Sequence, residues 1–467
     1  MDSPDCEKGR QVHLSMDGSE KRSSRPSPSP QSYNPPSLHR TESSLERVDV
    51  FGDEESNDIR YKTLRWQFVA LLMIAEIVSN GMLALPSALA VVGIVPAVIL
   101  IVFLGMFALF TAKLLIDFKL NHPEVHNMGD AGYILFGPIG REVLSAGTII
   151  FAICATGSEL LSGQLALSTL SDQGFCSMWL LLIFAAFTFL LALPRTLGHL
   201  SRLGIFSSGL IVFAGVLAMI AAGTNPAEGR RVDIVVKTDF YHAFLAITNP
   251  VFAYAGHFMF FILMSEMPRP QDAMKAATCL QGFSTAFYVA FSVVMYIFIG
   301  PTVQSPALLS LPPLWSKTTF AVALGNFLIA GSLYSHTAAK LVFMRFFRRT
   351  RHVHSHTVLG WVCWVLLCLV AVGVAAVLAI AVPIFSYLIG IAAAIFASWY
   401  TYGLAGFFWL HDTYHLEGGW KAFGLRRVGT AFALLTILLG AFICGAGTYV
   451  SVKVSSCSHF RPHSAEA

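Results

Sequence analysis

The sequence predicts an all-α polytopic membrane protein with 11 transmembrane helices: a 5+5 inverted repeat plus one peripheral helix. Three observations predict it. The 467 residues are 55% hydrophobic and 12% charged, against about 25% charged in an ordinary soluble domain. The apolar residues gather in runs long enough for the ~20 residues a bilayer requires. The first and sixth runs are interrupted at corresponding places, five segments apart, which is the sequence mark of an inverted repeat with a binding site at its breaks.

The chain begins with a polar stretch, residues 1–60, that contains Ser23-Ser-Arg-Pro-Ser-Pro-Ser-Pro30 and Asn34-Pro-Pro36. Too little apolar surface lies there to offset ordering entropy, so it reads as a disordered cytosolic tail. No cleavable signal peptide is visible. The membrane domain, 61–455, holds spans at 66–92, 95–118, 141–170, 177–194, 203–223, 240–267, 275–300, 317–344, 357–381, 383–410 and 428–454. Val382-Pro383 separates two of them, because the combined stretch is too long for one helix across ~30 Å. A short extracytosolic tail, 456–467, closes the chain.

The formal net charge is +4, and its distribution says more. Lys and Arg concentrate in alternate loops, most of all in Arg345-Phe-Phe-Arg-Arg-Thr-Arg351. The bias sets the N-terminus in the cytosol and the C-terminus outside. In this setting the basic run faces anionic lipid rather than nucleic acid. The eight cysteines show no metal-ligand spacing. Cys154, Cys279, Cys363, Cys368 and Cys444 lie in spans and read as small hydrophobes. Cys176 and Cys457 fall outside and are candidates for a disulfide. No G-x-S-x-G, H-E-x-x-H or Walker A sequence occurs, which argues against an enzyme and against ATP-driven transport; no cofactor is expected.

In the first span the break is Ser79-Asn80-Gly81, and in the sixth it is Asn249-Pro250 followed by Tyr254-Ala255-Gly256-His257. Backbone unwound at membrane depth must face protein, water or a ligand. A half-helix ending near Val78 leaves carbonyls free, and one starting near Met82 leaves N–H groups free. The N–H end suits a carboxylate and the carbonyl end an ammonium group. A zwitterion offers both charges on one carbon. Ser79, Asn80 and Gly81 are therefore the expected carboxylate site, and the carbonyls of Ile77 and Val78 the ammonium site, completed by Phe252 or Ala253. Tyr254, Gly256 and His257 are expected to border the pocket. Gly81→Leu is expected to abolish uptake while leaving surface expression normal.

Glu76 lies about one turn before the first break. A carboxyl at membrane depth is costly, so functional use is its default reading, and its neutral form suits a proton carrier. Glu159 in the third span and His336 in the eighth are the next candidates. Lys340, one helical turn beyond His336, reads as a snorkelling lysine. Glu266 and Arg269 follow the sixth span and read as a cytosolic gate, pairing with charges from Arg60–Arg65 or with Asp117 and Lys119.

Gly81-Met-Leu-Ala-Leu-Pro86, Val251-Phe-Ala-Tyr254 with Ser265-Glu-Met-Pro-Arg-Pro270, and Gly300-Pro-Thr-Val-Gln-Ser-Pro306 resemble, in order, signatures of the amino acid/auxin permease family. The last is similar to the fungal branch, the methyltryptophan-resistance type of neutral amino acid permease. The resemblance runs from about residue 60 to 450. It implies a LeuT-like fold, uptake of amino acids and coupling to protons. In LeuT-like sodium carriers, hydroxyls stand where Ser332 and Ser335 stand here, so sodium coupling stays open on residues alone. Apart from Glu76, Glu159 and His257, little near the breaks would pair a charged substrate side chain. A neutral aliphatic or aromatic amino acid is the expected substrate, and the plasma membrane the expected location. The rival readings are a transporter-shaped amino acid sensor, a polytopic structural partner and a vacuolar carrier.

Overall fold

The computed structural model describes residues 61–459 except 349, 354, 383 and 384. The expected 1–60 tail, the Cys457 side chain and the Pro383 junction lie outside the described residues. Cys176 is exposed and free.

α1 (Trp66–Ile77) and α2 (Asn80–Val92) form the first span and bend by 50° at the break. α3 (Ile94–Asn121) returns. α4 (Met128–Leu170) is two helical pieces joined at a kink, where Gly137 takes φ 69° before Pro138, and the piece after the kink is the span expected over 141–170. α5 (Ser177–Ala192) and α6 (Leu197–Thr224) complete the first five. α7 (Phe240–Ala253) and α8 (His257–Ser265) form the broken sixth span. α9 (Ala273–Ile299), α10 (Pro313–Phe347) and α11 (Val358–Ala381) follow. α12 (Phe385–Ala392) runs through a π-helical stretch, Ala393–Gly403, into α13 (Leu404–Leu416). The short α14 (Trp420–Leu425) leads to α15 (Arg427–His459).

Among the described residues nine helices are long and apolar enough to cross a membrane, or ten with the bent α1–α2 pair counted as one. The expected count of eleven is met only if α5, with 16 residues, crosses as well. α11 and α15 turn residues such as Val370, Val377, Leu438 and Phe442 outward, as lipid-facing helices do. The two broken spans stand side by side. A Cβ on Gly81 would lie 2.6 Å from the Cα of Ala253, and one on Gly256 2.0 Å from a methyl carbon of Ile77. The first turn is closed at the other end by backbone pairing: Ile94 and Val95 donate to Asp233 and Ile234, and Val236 donates to Val92. Gly93, at φ 94°, permits it, since a Cβ there would meet the Ile234 carbonyl at 2.7 Å.

Candidate functional site

The first break is narrower than expected. Only Val78 and Ser79 leave the helix, with Ser79 at ψ −111°, and Asn80 and Gly81 already belong to the first turn of α2. Their N–H groups are among the four a helix start leaves without helical partners. The second break spans Tyr254–Gly256.

Around Ser79 lies a fully buried polar cluster drawn from four spans. The Ser79 Oγ is 3.0 Å from Glu159 Oε2 and 2.5 Å from Asn326 Oδ1. Asn326 Nδ2 donates to the Ala75 carbonyl at 2.8 Å and lies 2.9 Å from Ser207 Oγ. A carbonyl only accepts, so that contact fixes the Asn326 amide orientation. Asn80 meets α4, its Nδ2 3.3 Å from Ser158 Oγ and its Oδ1 accepting from Ser162 at 2.7 Å. Glu76 is equally buried, and neither of its carboxyl oxygens has a hydrogen-bond partner among the described residues.

Two carbonyls end at the breaks, those of Ile77 and Ala253. Both lie within reach of one phenol: Tyr288 OH is 3.0 Å from the first and 2.7 Å from the second. The Glu76 carbonyl accepts from Tyr334 at 3.1 Å, and the Phe252 carbonyl accepts from the Ala255 N–H. Tyr288 thus bridges the two broken spans through backbone that neither helix can satisfy.

The aromatic wall differs from the expected one. Tyr254 turns to α3 and α9, its hydroxyl 3.1 Å from both the Ile101 carbonyl and Thr285 Oγ1. His257 also faces α3, with Nε2 2.8 Å from the Ala108 carbonyl and 3.2 Å from Thr111. Phe252 and Phe258 instead meet Phe151 of α4, with ring centroids 6.3 and 5.1 Å away, and Phe258 stacks on Tyr334 at 6.3 Å. Asn326, Ser207, Ser158, Ser162, Tyr288, Tyr334 and Phe151 were not foreseen. Asn326 carried a signal, a polar amide in the middle of an apolar run.

The remaining candidates lie apart from this cluster. His336 faces the Ala192 carbonyl at 3.4 Å and the Trp364 ring at 5.0 Å. Ser332 and Ser335 donate to carbonyls of their own helix. Glu266 corrects the expected gate pairing. Its partner is Lys340 of α10, in a buried ion pair, so Lys340 does not snorkel. Lys119 donates instead to the Pro123 and Val125 carbonyls, and Arg269 is exposed. The Lys340 ammonium also sits 4.8 Å from the Tyr61 ring centroid, and the Leu64 N–H donates to the Glu266 carbonyl at 3.1 Å. The segment entering α1 is therefore tied directly to this pair.

The nearly all-helical fold with its first and sixth spans broken is LeuT-like. The solved structure of a sodium-coupled sialic acid symporter shares the fold, with a TM-score of 0.53 at 11% identity, covering 88% of this chain and 94% of that one. Residues 62–453 match the family described as "Transmembrane amino acid transporter protein", and the chain belongs to that family, the amino acid/auxin permeases. It is 31% identical over 416 residues to the N amino acid transport system protein of Neurospora crassa, covering 87% of this chain and 88% of that one. It is 29% identical over 414 residues to a transmembrane transporter of Gibberella moniliformis, covering 86% of each chain. A vacuolar amino acid transporter of Schizosaccharomyces pombe is 23% identical over 58% of this chain and 41% of that one. The chain is thus a multi-pass membrane protein of an amino acid transporter family.

Proposed function

We propose that this transporter imports neutral aliphatic or aromatic amino acids by proton symport across the plasma membrane, with its N-terminus in the cytosol. The substrate sits at the two breaks. Its carboxylate faces the start of α2, at Ser79, Asn80 and Gly81. Its ammonium faces the carbonyls of Ile77, Val78, Phe252 and Ala253, and its side chain faces Phe151, Phe252 and Phe258.

The observation that carries this reading is the buried Ser79–Glu159–Asn326 cluster beside the break. A serine hydroxyl has one proton and here faces two oxygens. If it donates to Asn326 Oδ1, the contact with Glu159 needs a proton from the carboxyl. Glu76 supports the same view, since an ionised carboxylate buried without a donor costs several kcal/mol. The buried cations Lys119, Arg195 and Lys340 belong to other surroundings. Lys340 is 14 residues along α10 from Asn326, about 21 Å of helix. An acidic substrate side chain has no such partner in the cluster.

Uptake of each of the twenty amino acids in a permease-deficient host, at two external pH values and with sodium replaced, tests the reading. Accumulation of neutral amino acids that rises with acidity is the expected result. Binding without accumulation would mark a sensor. Dependence on sodium alone would replace protons as the coupled ion.

A further inference from the structure

At the end of the bundle that carries Arg345 and Arg348, away from the breaks, His122 follows α3 and His411 and Asp412 stand in α13. One ligand atom from each of the three lies within 4.8 Å of the others. We propose that His122, His411 and Asp412 bind a divalent transition-metal ion of the zinc class and clip the end of α3 to α13.

The donor set is two imidazoles and one carboxylate. It suits zinc, cobalt or nickel, whereas magnesium and calcium prefer oxygen ligands alone. The three side chains are 11%, 16% and 15% exposed, so they are largely held in place while an ion can still reach them.

The surroundings orient the ligands. Asn121 Nδ2 donates to Asp412 Oδ2 at 2.8 Å. That leaves Oδ1 aimed at both imidazoles, 2.9 Å from His122 Nε2 and 3.2 Å from His411 Nδ1. The other nitrogen of His122, Nδ1, faces Glu124 Oε1 at 3.7 Å. The Phe118 ring, 4.5 Å from His122 and 6.0 Å from His411, covers the inner side, backed by Phe408 at 4.5 Å. Three protein ligands leave a fourth position for water.

The site spans two elements distant in sequence. An ion there would hold the α3 end against α13, whereas a plain hydrogen-bonded His–Asp network would hold it without metal. The two are separable with purified full-length protein, using Co2+ as the spectroscopic probe and Zn2+ as competitor. The expected result is one Co2+ per chain with visible absorption, displaced by Zn2+ and not by Mg2+. His122→Ala, His411→Ala and the near-isosteric Asp412→Asn should each weaken binding at least about tenfold. His356→Ala, whose ring stacks on Trp361, should bind as the unmodified chain does. Absence of one-to-one Co2+ and Zn2+ binding by the unmodified protein overturns the proposal. So does unchanged binding by His411→Ala and Asp412→Asn variants that elute as folded monodisperse protein. Neither outcome touches the transport reading, because no transport is measured.

Discussion

The Ser79 hydroxyl and the Glu159 carboxyl lie 3.0 Å apart across the first break, with Asn326 Oδ1 2.5 Å from the same hydroxyl. Three oxygens share the protons of one alcohol and one acid, so the cluster changes with the charge on Glu159. Asn326 ties it to α1 and α6 through Ala75 and Ser207. Asn326→Ala removes two donated hydrogen bonds and leaves a buried carbonyl unpaired, at a cost of about 1–3 kcal/mol. The expected outcome is a lower melting temperature together with an apparent affinity weakened at least about tenfold. Ser79→Ala should weaken affinity with a smaller loss of stability. Unchanged uptake kinetics in both variants would detach the cluster from the substrate site.

Tyr288 holds the carbonyls that the ammonium is proposed to use. Tyr288→Phe removes the one hydroxyl proton the two carbonyls share, and a buried carbonyl left unpaired costs about 1–3 kcal/mol. A substrate ammonium would satisfy them again. The expected outcome is a protein less stable alone yet stabilised more by substrate than the unmodified chain, read as a larger thermal shift on adding a transported amino acid. An equal or smaller shift would place the ammonium elsewhere.

Gly81 approaches backbone, not open space. A Cβ would meet Ala253 Cα at 2.6 Å, and backbone yields poorly. Gly81→Ala should therefore cost about 1–3 kcal/mol through overpacking, and Gly81→Leu more. Surface expression should fall along with uptake, in place of the normal expression expected from sequence. Flow cytometry of a tagged chain checks it, and wild-type expression of Gly81→Leu would show that the two spans can part.

Much of the site could be read along the chain because breaks and buried charges announce themselves locally. Ser79-Asn80-Gly81 and the Gly256-His257 pair break apolar runs, Glu76 stands alone among apolar neighbours, and Glu159 is a carboxyl inside a membrane span. What could not be read is direction. Tyr254 and His257 flank the second break in sequence, but the helix phase of α7 and α8 turns them to α3. Asn326 reaches Ser79, and Ser207 reaches Asn326, only because α10 and α6 pack on α1, which no single-span pattern encodes. Lys340 looked like a lysine at a helix end, and its pairing with Glu266 depends on a contact 74 residues away in sequence.

The Glu266–Lys340 pair is buried on both sides, so each charge depends on the other. Removing one partner of such a pair costs about 3–5 kcal/mol, while replacing both can be close to neutral. Glu266→Gln and Lys340→Met should each lower the melting temperature of the solubilised protein. The double variant should be more stable than the sum of the two losses predicts. Additive losses would mean that the two charges do not support one another, and the gate reading would lose its physical basis.

Glu76 and Glu159 are the two candidates for the coupled proton, and their surroundings make different predictions. Glu159 is hydrogen-bonded to Ser79, whereas the Glu76 oxygens have no partner among the described residues. Gln mimics the protonated acid at either position. If Glu76 carries the proton, Glu76→Gln should exchange substrate across the membrane yet fail to concentrate it against a gradient, and its uptake should lose the rise with external acidity. In that case Glu159→Gln, which can still donate to Ser79, should keep accumulation. Reconstituted vesicles with an imposed pH gradient, assayed for net uptake and for exchange, separate the two. If Glu76→Gln concentrates substrate with wild-type pH dependence, Glu76 is structural and the proton belongs to Glu159. If uptake follows sodium and ignores pH in every variant, both carboxyls lose the role. Ser332 and Ser335, with the carbonyls near Glu76 to Val78, would then be read as a sodium site.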